Sequence, residues 1–321
     1  MKELARRVLL ALLILASTAY ADPYPSKPIK IIVPWPAGGI VDARMRMLAD
    51  RLSKSMKQQV IVENKPGASG TVGAQAAARA APDGYTLFAG SYIDQAAALG
   101  LFKQLPYDPE RDFVPIANLG RGCLVLVANK SLGVSTIDDL IALARASAGK
   151  LSYASGGAAT PQHLLMEQFK RAAKVDLEHI PYKGGGPALQ DVVAGHVPVM
   201  FEFEPTAFPH IRSGKLVPLM TGCHRRLDLL PDVPSSKEAG LPSVEVRSWA
   251  GLFAPAGTPQ EIVQTLNTQI NRIIAAPDVR SHLTMSGSEY PTWTAEEFAD
   301  FIRRDRPRWI PILRDAGIQP Q

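Results

Sequence analysis

The chain has 321 residues, 46% of them apolar and 20% charged, and its formal net charge at pH 7 is +5. This composition excludes a disordered or fibrous protein, and the length suits two domains. No basic stripe with interleaved aromatic residues is present, so we expect no nucleic-acid partner.

The N-terminus has the pattern of a cleavable export signal. Lys2, Arg6 and Arg7 precede an apolar run at residues 8–16, and an Ala-Tyr-Ala cleavage sequence ends at Ala21. An uncleaved membrane anchor is the alternative, but the apolar run is short for a bilayer core of about 30 Å. We therefore predict a protein exported to the periplasm and soluble after loss of residues 1–21.

Residues 29–89 alternate short apolar runs with amphipathic helical patterns. Apolar residues at positions 41, 45, 48, 52 and 56 fall at helical spacing and are separated by charged residues. In chain order, the patterns predict a strand at 29–34, a helix at 41–56, a strand at 59–64, a helix at 70–81 and a strand at 85–89. This βαβαβ series is typical of a largely parallel sheet.

A second series of the same kind begins near Cys123. It predicts strands at 123–129, 151–155, 177–181, 197–203 and 216–221. It also predicts helices at 135–147, from 161 and at 187–195, and two further helices that close the chain. Capping motifs at Ser135–Asp138, Thr258–Glu261 and Thr294–Glu297 predict helix starts. Pro307 and Pro311 should kink or break the last helix.

The two series predict an α/β fold of two domains. We place the linkers near residues 119–122 and 243–250, so that the chain passes twice between the domains and forms a hinge beside a cleft. The expected division is a signal peptide at 1–21, domain 1 at 22–121 plus 248–321, and domain 2 at 122–247.

The chain has two cysteines, Cys123 and Cys223. An even number of cysteines in an oxidising compartment permits a disulfide bond. Two buried free thiols are the alternative, and the sequence leaves both open.

Two similar loops, one in each predicted domain, follow a strand and open a helix. They read Pro34-Trp-Pro-Ala-Gly-Gly39 and Ala154-Ser-Gly-Gly-Ala-Ala-Thr160. Glycine allows close approach of a ligand to the backbone, and the free N–H groups and dipole of a helix start favour an anion. Either loop alone is compatible with an ordinary tight turn. Their equivalent positions favour a carboxylate site between the domains.

Other polar residues stand near predicted strand ends, where open α/β sheets bind ligands. Tyr182 and Lys183 supply a phenol and an ammonium group after the strand at 177–181. Glu202 would repel an anion, so it either binds a hydroxyl or amine of the ligand or lies outside the pocket.

Catalytic and metal-binding motifs are poor in this sequence. His163 and Glu167 stand four residues apart on one predicted helix, but no second ligand pair accompanies them, so we expect no metal and no other cofactor. His163 is then either a hydrogen-bond donor in the cleft or a structural residue. No G-x-S-x-G or H-E-x-x-H motif occurs, and we predict that the protein is not an enzyme.

The sequence resembles the Bug receptors, the substrate-binding proteins of tripartite tricarboxylate transporters. The resemblance covers nearly all of the chain after residue 21. It is carried by YPSKPIKIIVPWPAGGIVD (24–42), VIVENKPGASGTVGAQAAARAAPDGYTL (60–87), LPYDPERDF (105–113), LSYASGGAATPQHLLMEQF (151–169), PYKGGGPAL (181–189), LLPDVPSSKEAGLP (229–242) and SWAGLFAPAGTP (248–259).

The resemblance implies a type II periplasmic-binding fold that closes on its ligand. It also implies a small organic acid as ligand (a di- or tricarboxylate, an amino acid or an aromatic acid) and integral-membrane transporter subunits as partners. A sensor component that signals to a membrane kinase is the alternative function.

The resemblance also implies which residues hold the ligand. Those of the first domain are Trp35, Ala37, Gly38, Gly39 and Asp42, and those of the second are Ser155, Gly156, Thr160, His163, Tyr182 and Lys183. Asp42 stands at a helix start, and its alternative role is to cap the loop. Two segments depart from the family pattern and are expected to line the pocket, which adds Ser91 and Glu202.

Overall fold

The structure is a computed structural model that describes residues 23–38, 40–147, 149–246, 248–284 and 289–320. The predicted signal peptide, residues 1–21, and the candidate Gly39 lie outside the described residues.

In the described residues, ten strands form two five-stranded sheets, and the fold is a mixed α/β fold as predicted. The strands are β1 (Ile29–Val33), β2 (Val60–Asn64), β3 (Thr86–Ser91), β4 (Phe113–Gly122), β5 (Leu124–Asn129), β6 (Ser152–Ser155), β7 (Glu178–Pro181), β8 (Val199–Phe203), β9 (Leu216–Thr221) and β10 (Ser248–Pro255). Sheet 1 has the order β2-β1-β3-β10-β4, and sheet 2 has the order β7-β6-β8-β5-β9.

Helices cover the faces of both sheets. They are α1 (Ile40–Met56), α2 (Thr71–Ala78), α3 (Ala98–Leu101), α4 (Ile137–Ala146), α5 (Pro161–Ala173), α6 (Gly185–Ala194), α7 (Glu204–Arg212), α8 (Gln260–Ala275), α9 (Pro277–Thr284), α10 (Ala295–Asp305) and α11 (Trp309–Asp315). Short 3₁₀ turns lie at Ala68–Gly70, Lys130–Leu132 and Arg306–Arg308, and a π-helical turn lies at Ile93–Ala97. In the described residues, no helix is both long and apolar enough to cross a membrane.

The two sheets repeat one topology. In sheet 1, β1 pairs in parallel with β2 and β3, while β10 is antiparallel to β3 and β4. In sheet 2, β6 pairs in parallel with β7 and β8, while β5 is antiparallel to β8 and β9. Strand β6 is therefore the equivalent of β1, and β8 is the equivalent of β3.

The strand register brings the carboxyl edges of the two sheets together. Gly122, the last residue of β4, pairs with Ser248 at the edge where β3 ends. Leu124, the first residue of β5, pairs with Phe203 at the end of β8. Because only Cys123 separates β4 from β5, the edges at which the parallel strands of both sheets end must adjoin.

A disulfide bond lies at this passage between the sheets. Cys123 is bonded to Cys223, with 6.0 Å between their Cα atoms. Of the two alternatives that the sequence leaves open, the structure therefore has the disulfide bond and not two free thiols. Beside it, Glu289 accepts a hydrogen bond from Arg225 at 2.9 Å and also pairs with Arg121. The bond encloses residues 123–223 and hence all five strands of sheet 2.

Buried apolar side chains form the cores. Leu52 of α1 and Leu266 of α8 pack with Ile31 on one face of sheet 1. On the opposite side, one buried cluster includes residues of both sheets together with Trp309 and Leu313 of α11. The C-terminal helix thus packs at the junction of the two sheets.

The helix ends confirm one predicted capping motif and correct two. Thr294 caps α10, and its backbone N–H donates to Glu297 in a capping box. The box of α4 lies one residue later than predicted, at Thr136 and Asp139. Thr258 does not cap α8, because the N-cap position is occupied by Pro259, and the hydroxyl of Thr258 donates instead to the carbonyl of Pro255.

The two prolines near the C-terminus have different effects. Pro307 lies in the 3₁₀ turn between α10 and α11 and so interrupts the helix as predicted. The expectation for Pro311 is wrong, because it is the third residue of α11, where its missing N–H would have no helical partner.

Candidate functional site

Loop 1, residues 34–39, joins β1 to α1 at the carboxyl edge of sheet 1. Trp35 is half-buried, whereas Ala37 and Gly38 are exposed. Gly38 has φ +82° and no atom near its missing Cβ, so the loop uses the conformational freedom of glycine there. The candidates Trp35, Ala37 and Gly38 therefore lie together at this edge.

Asp42 braces loop 1 from the first turn of α1. Its Oδ2 accepts the N–H of Gly38 at 2.9 Å and Nε of Arg46 at 3.0 Å. Its Oδ1 accepts Nδ2 of Asn64 at 2.9 Å, and the same amide donates to the carbonyl of Trp35. The bond to Arg46 and those to Gly38 and Asn64 lower the pKa of Asp42 to about 2. Both oxygens are committed to the protein, which favours the loop-capping role.

Loop 2, residues 156–160, joins β6 to α5 at the equivalent edge of sheet 2. The buried Ser155 ends β6, and its Oγ lies 2.7 Å from Nε2 of His179 and accepts the N–H of Gly157. The hydroxyl of Thr160 donates to the carbonyl of Gly157 at 2.7 Å. Ser155 and Thr160 therefore shape the loop through their side chains.

His163 holds the same loop from the first turn of α5. Its Nδ1 accepts the N–H of Ala159 at 3.1 Å, so the ring proton is on Nε2 in the neutral form. The ring stacks on His179 with centroids 4.1 Å apart, and His179 stacks on Tyr153. Burial, together with the neighbouring His179, lowers the pKa of His163 to about 4. His163 is therefore a neutral residue that positions the loop.

Loop 3, residues 182–184, follows β7 and lies directly against loop 2. The N–H of Gly184 donates to the carbonyl of Gly156 at 3.1 Å. A Cβ on Gly156 would lie 3.0 Å from the backbone nitrogen of Gly185, so only glycine fits this contact. Gly156 thus joins the two loops into one surface.

The side chains of loop 3 differ in their contacts. The hydroxyl of Tyr182 donates to Asp191 at 2.6 Å, and this bond raises the pKa of Tyr182 to about 12. Lys183 is exposed. Tyr182 is therefore tied to α6, whereas Lys183 supplies a positive charge at the edge.

Ser91 ends β3, the third strand of the parallel set in sheet 1. Its Oγ donates to Asp94 at 2.8 Å, and its N–H also donates to the same carboxyl group. Burial raises the pKa of Asp94 to about 7, although the bonds from Ser91 oppose that rise. The hydroxyl of Ser91 is thus bonded to the π-helical turn that follows β3.

Glu202 lies in β8, the equivalent of β3, and is 2% exposed. Its Oε1 accepts the N–H of Phe203 at 2.9 Å and the hydroxyl of Thr206 at 2.6 Å. Burial raises the pKa of Glu202 to about 7. The carboxyl group belongs to the same edge as loops 2 and 3.

Some residues at the two edges are not among the sequence candidates. His179 and Asn64 bond to candidate residues, and Gln162 lies beside Glu202. Their partners are distant in sequence, so no local motif indicates these contacts. In the part of the chain that the structure describes, no three His, Cys, Asp or Glu residues are grouped to hold a metal.

Comparison with known proteins agrees with these features. A family model described as "Tripartite tricarboxylate transporter family receptor" (TctC) matches residues 44–318. Three similar solved structures are R. palustris Rpa4515 with adipate (TM-score 0.84, 31% identity), the periplasmic binding protein BugD (0.81, 31%) and MatC from Rhodopseudomonas palustris with bound malate (0.79, 33%). These matches cover 93%, 93% and 90% of this chain, respectively, and 100% of each of the other chains. The chain belongs to the tripartite tricarboxylate transporter receptor family, whose solved relatives share its two-sheet fold.

Proposed function

We propose that this protein is a periplasmic receptor that captures a small organic carboxylate between its two sheets and delivers it to a tripartite-type membrane transporter. The proposal includes no chemical reaction. It takes residues 22–121 plus 248–321 as one domain and 122–247 as the other. The export pattern at residues 1–21 and the family membership support the periplasmic location and the transporter partner.

One observation carries the proposal: loops 1 and 2 occupy equivalent places in the two sheets and lie at adjoining edges. Each loop leads directly into a helix, α1 after loop 1 and α5 after loop 2. The first N–H groups of a helix lack helical partners, and its dipole favours negative charge there. A carboxylate between the edges would receive donors from both sheets.

The structural relatives support the ligand class. The Rpa4515 protein was solved with adipate and MatC with malate, and both molecules are small dicarboxylates. We propose that loops 1, 2 and 3 supply the contacts to the carboxylate of such a ligand. Asp42 and His163 hold loops 1 and 2 in shape, and Lys183 adds positive charge.

Domain closure is the proposed mechanism. The passage at Cys123 and the segment 222–247 connect the sheets and would allow the two edges to approach. A ligand that contacts both edges stabilises only the closed arrangement, so binding shifts the population toward it.

A thermal-shift screen tests the proposed function. The protein without residues 1–21 would be heated with dicarboxylates, citrate, amino acids and aromatic acids, with neutral sugars as controls. Because a ligand stabilises the native state by mass action, an acid at 1,000 times its Kd should add about 4 kcal/mol and raise the Tm by several degrees. If no acid raises the Tm and mass spectrometry of the denatured protein releases no bound acid, the proposal fails.

A further inference from the structure

Only one of the two oxygens of the Glu202 carboxyl group has hydrogen-bond donors. Oε1 accepts two hydrogen bonds, from the N–H of Phe203 and the hydroxyl of Thr206. Oε2 is buried and has no hydrogen-bond partner among the described residues. Leaving such an oxygen without a donor costs about 1–3 kcal/mol or more, so the fold retains it at a cost.

The surroundings of Oε2 belong to the candidate site. A Cβ placed on Gly185 would lie 3.3 Å from Oε2 and 3.0 Å from Nε2 of Gln162. Gly185 begins α6, and Gly156 of loop 2 packs on its backbone nitrogen. The amide of Gln162 lies beside the carboxyl group and opposes the rise in the pKa of Glu202, but it does not reach Oε2 with the geometry of a hydrogen bond. Oε2 therefore lies where loop 2, α5 and α6 meet.

Near the end of the equivalent strand in sheet 1, a buried acid has hydrogen-bond donors for both of its oxygens. Asp94 follows β3 and is completely buried, but its two oxygens accept the N–H and the hydroxyl of Ser91. Asp94 thus completes its hydrogen bonds within its own turn. Glu202 lies within β8, the strand equivalent to β3, and still lacks a donor for one oxygen.

We propose that Glu202 determines specificity by accepting a hydrogen bond from the ligand, so that the ligand is an organic acid that also carries an ammonium or hydroxyl group. This inference rests on the proposed function. In that arrangement the ligand carboxylate faces the loop N–H groups, and the donor group faces Oε2. A ligand without a donor would leave Oε2 unsatisfied.

Calorimetry with matched ligands tests the inference. Succinate carries no donor group, malate carries a hydroxyl group and aspartate carries an ammonium group. Glutarate, 2-hydroxyglutarate and glutamate repeat the comparison with a longer chain. In the series that binds, the better donor-bearing acid should bind about tenfold or more tightly than the donor-free acid, because one hydrogen bond to a buried carboxyl oxygen is at stake. Whichever of malate and aspartate binds more tightly identifies the donor group as a hydroxyl or an ammonium group.

Two variants separate the role of Glu202 from a general effect of charge. Glu202→Gln keeps the shape and should reduce the preference to about threefold or less, while the donor-free acid still binds and shows that the pocket is intact. Glu178→Gln removes one negative charge at the exposed start of β7 and should keep the wild-type preference.

The outcomes distinguish this inference from the proposed function. If the donor-free acid binds wild-type protein as tightly as the others, or if Glu202→Gln keeps the preference, Glu202 does not accept a hydrogen bond from the ligand. The proposed receptor function is unaffected by that result. If no organic acid binds, both proposals fail.

Discussion

Removal of the disulfide bond should destabilise sheet 2 strongly. Cys123 and Cys223 are separated by 100 residues, and the closed loop contains every strand of that sheet. In the chain-entropy treatment, a closed loop of 100 residues restricts the unfolded chain by about 4.7 kcal/mol. We therefore expect the double variant Cys123→Ala/Cys223→Ala to lose about 4–5 kcal/mol of the free energy of unfolding.

Urea denaturation followed by circular dichroism measures this loss. The wild type would be unfolded with and without reductant, and the double variant likewise. Reductant should move the wild-type transition toward that of the variant and should leave the variant unchanged. A loss below about 1 kcal/mol would refute the reasoning, since it would mean that the loop constrains the unfolded chain little.

Three further predictions concern the candidate site. Asp42→Ala removes the brace of Gly38 and should cost roughly 2–3 kcal/mol of stability and weaken acid binding, as measured by denaturation and calorimetry; unchanged affinity would contradict the brace. Gly156→Val would drive a side chain into the backbone at Gly185 and should abolish binding while the far-ultraviolet spectrum persists, and retained affinity would remove loop 2 from the site. Burial raises the pKa of Glu202 to about 7, so the neutral carboxyl group stabilises the fold at low pH, and this contribution is lost as the pH rises through 7. Between pH 4.5 and 7.5, the wild type should therefore lose about 3 kcal/mol more stability than Glu202→Gln. Parallel curves of unfolding free energy against pH for the two proteins would contradict this.

Hydrophobic periodicity predicts the elements that carry the candidate site. The strands at 29–34, 59–64 and 151–155 and the helix at 41–56 are found within a residue or two, because a local run or a regular spacing of apolar residues marks each of them. Equivalent loops after β1 and β6 follow from the same patterns. Local sequence specifies these elements, so they can be predicted without knowledge of tertiary contacts.

Other elements depend on contacts that periodicity does not report. Strand β4 continues to Gly122, whereas residues 119–122 are predicted to be a linker. Strand β10 occupies 248–255 and inserts between β3 and β4, which are its neighbours only in the folded sheet. The antiparallel half of sheet 1 is therefore set by tertiary pairing.

The roles of site residues are predicted less well than their positions. The sequence leaves the role of His163 open, and only the bond from Ala159 and the stack on His179 establish its position. The half-satisfied carboxyl group of Glu202 likewise depends on Thr206, Gly185 and the end of β8. Such roles arise from distances between segments, which a motif does not contain.

The location of the ligand is the most direct test of the account. A crystal structure of the protein with the organic acid that gives the largest thermal shift should show its carboxylate between loop 1 and loop 2, in contact with residues of both. A ligand held by one sheet alone, or bound away from these adjoining edges, would contradict capture between the two sheets.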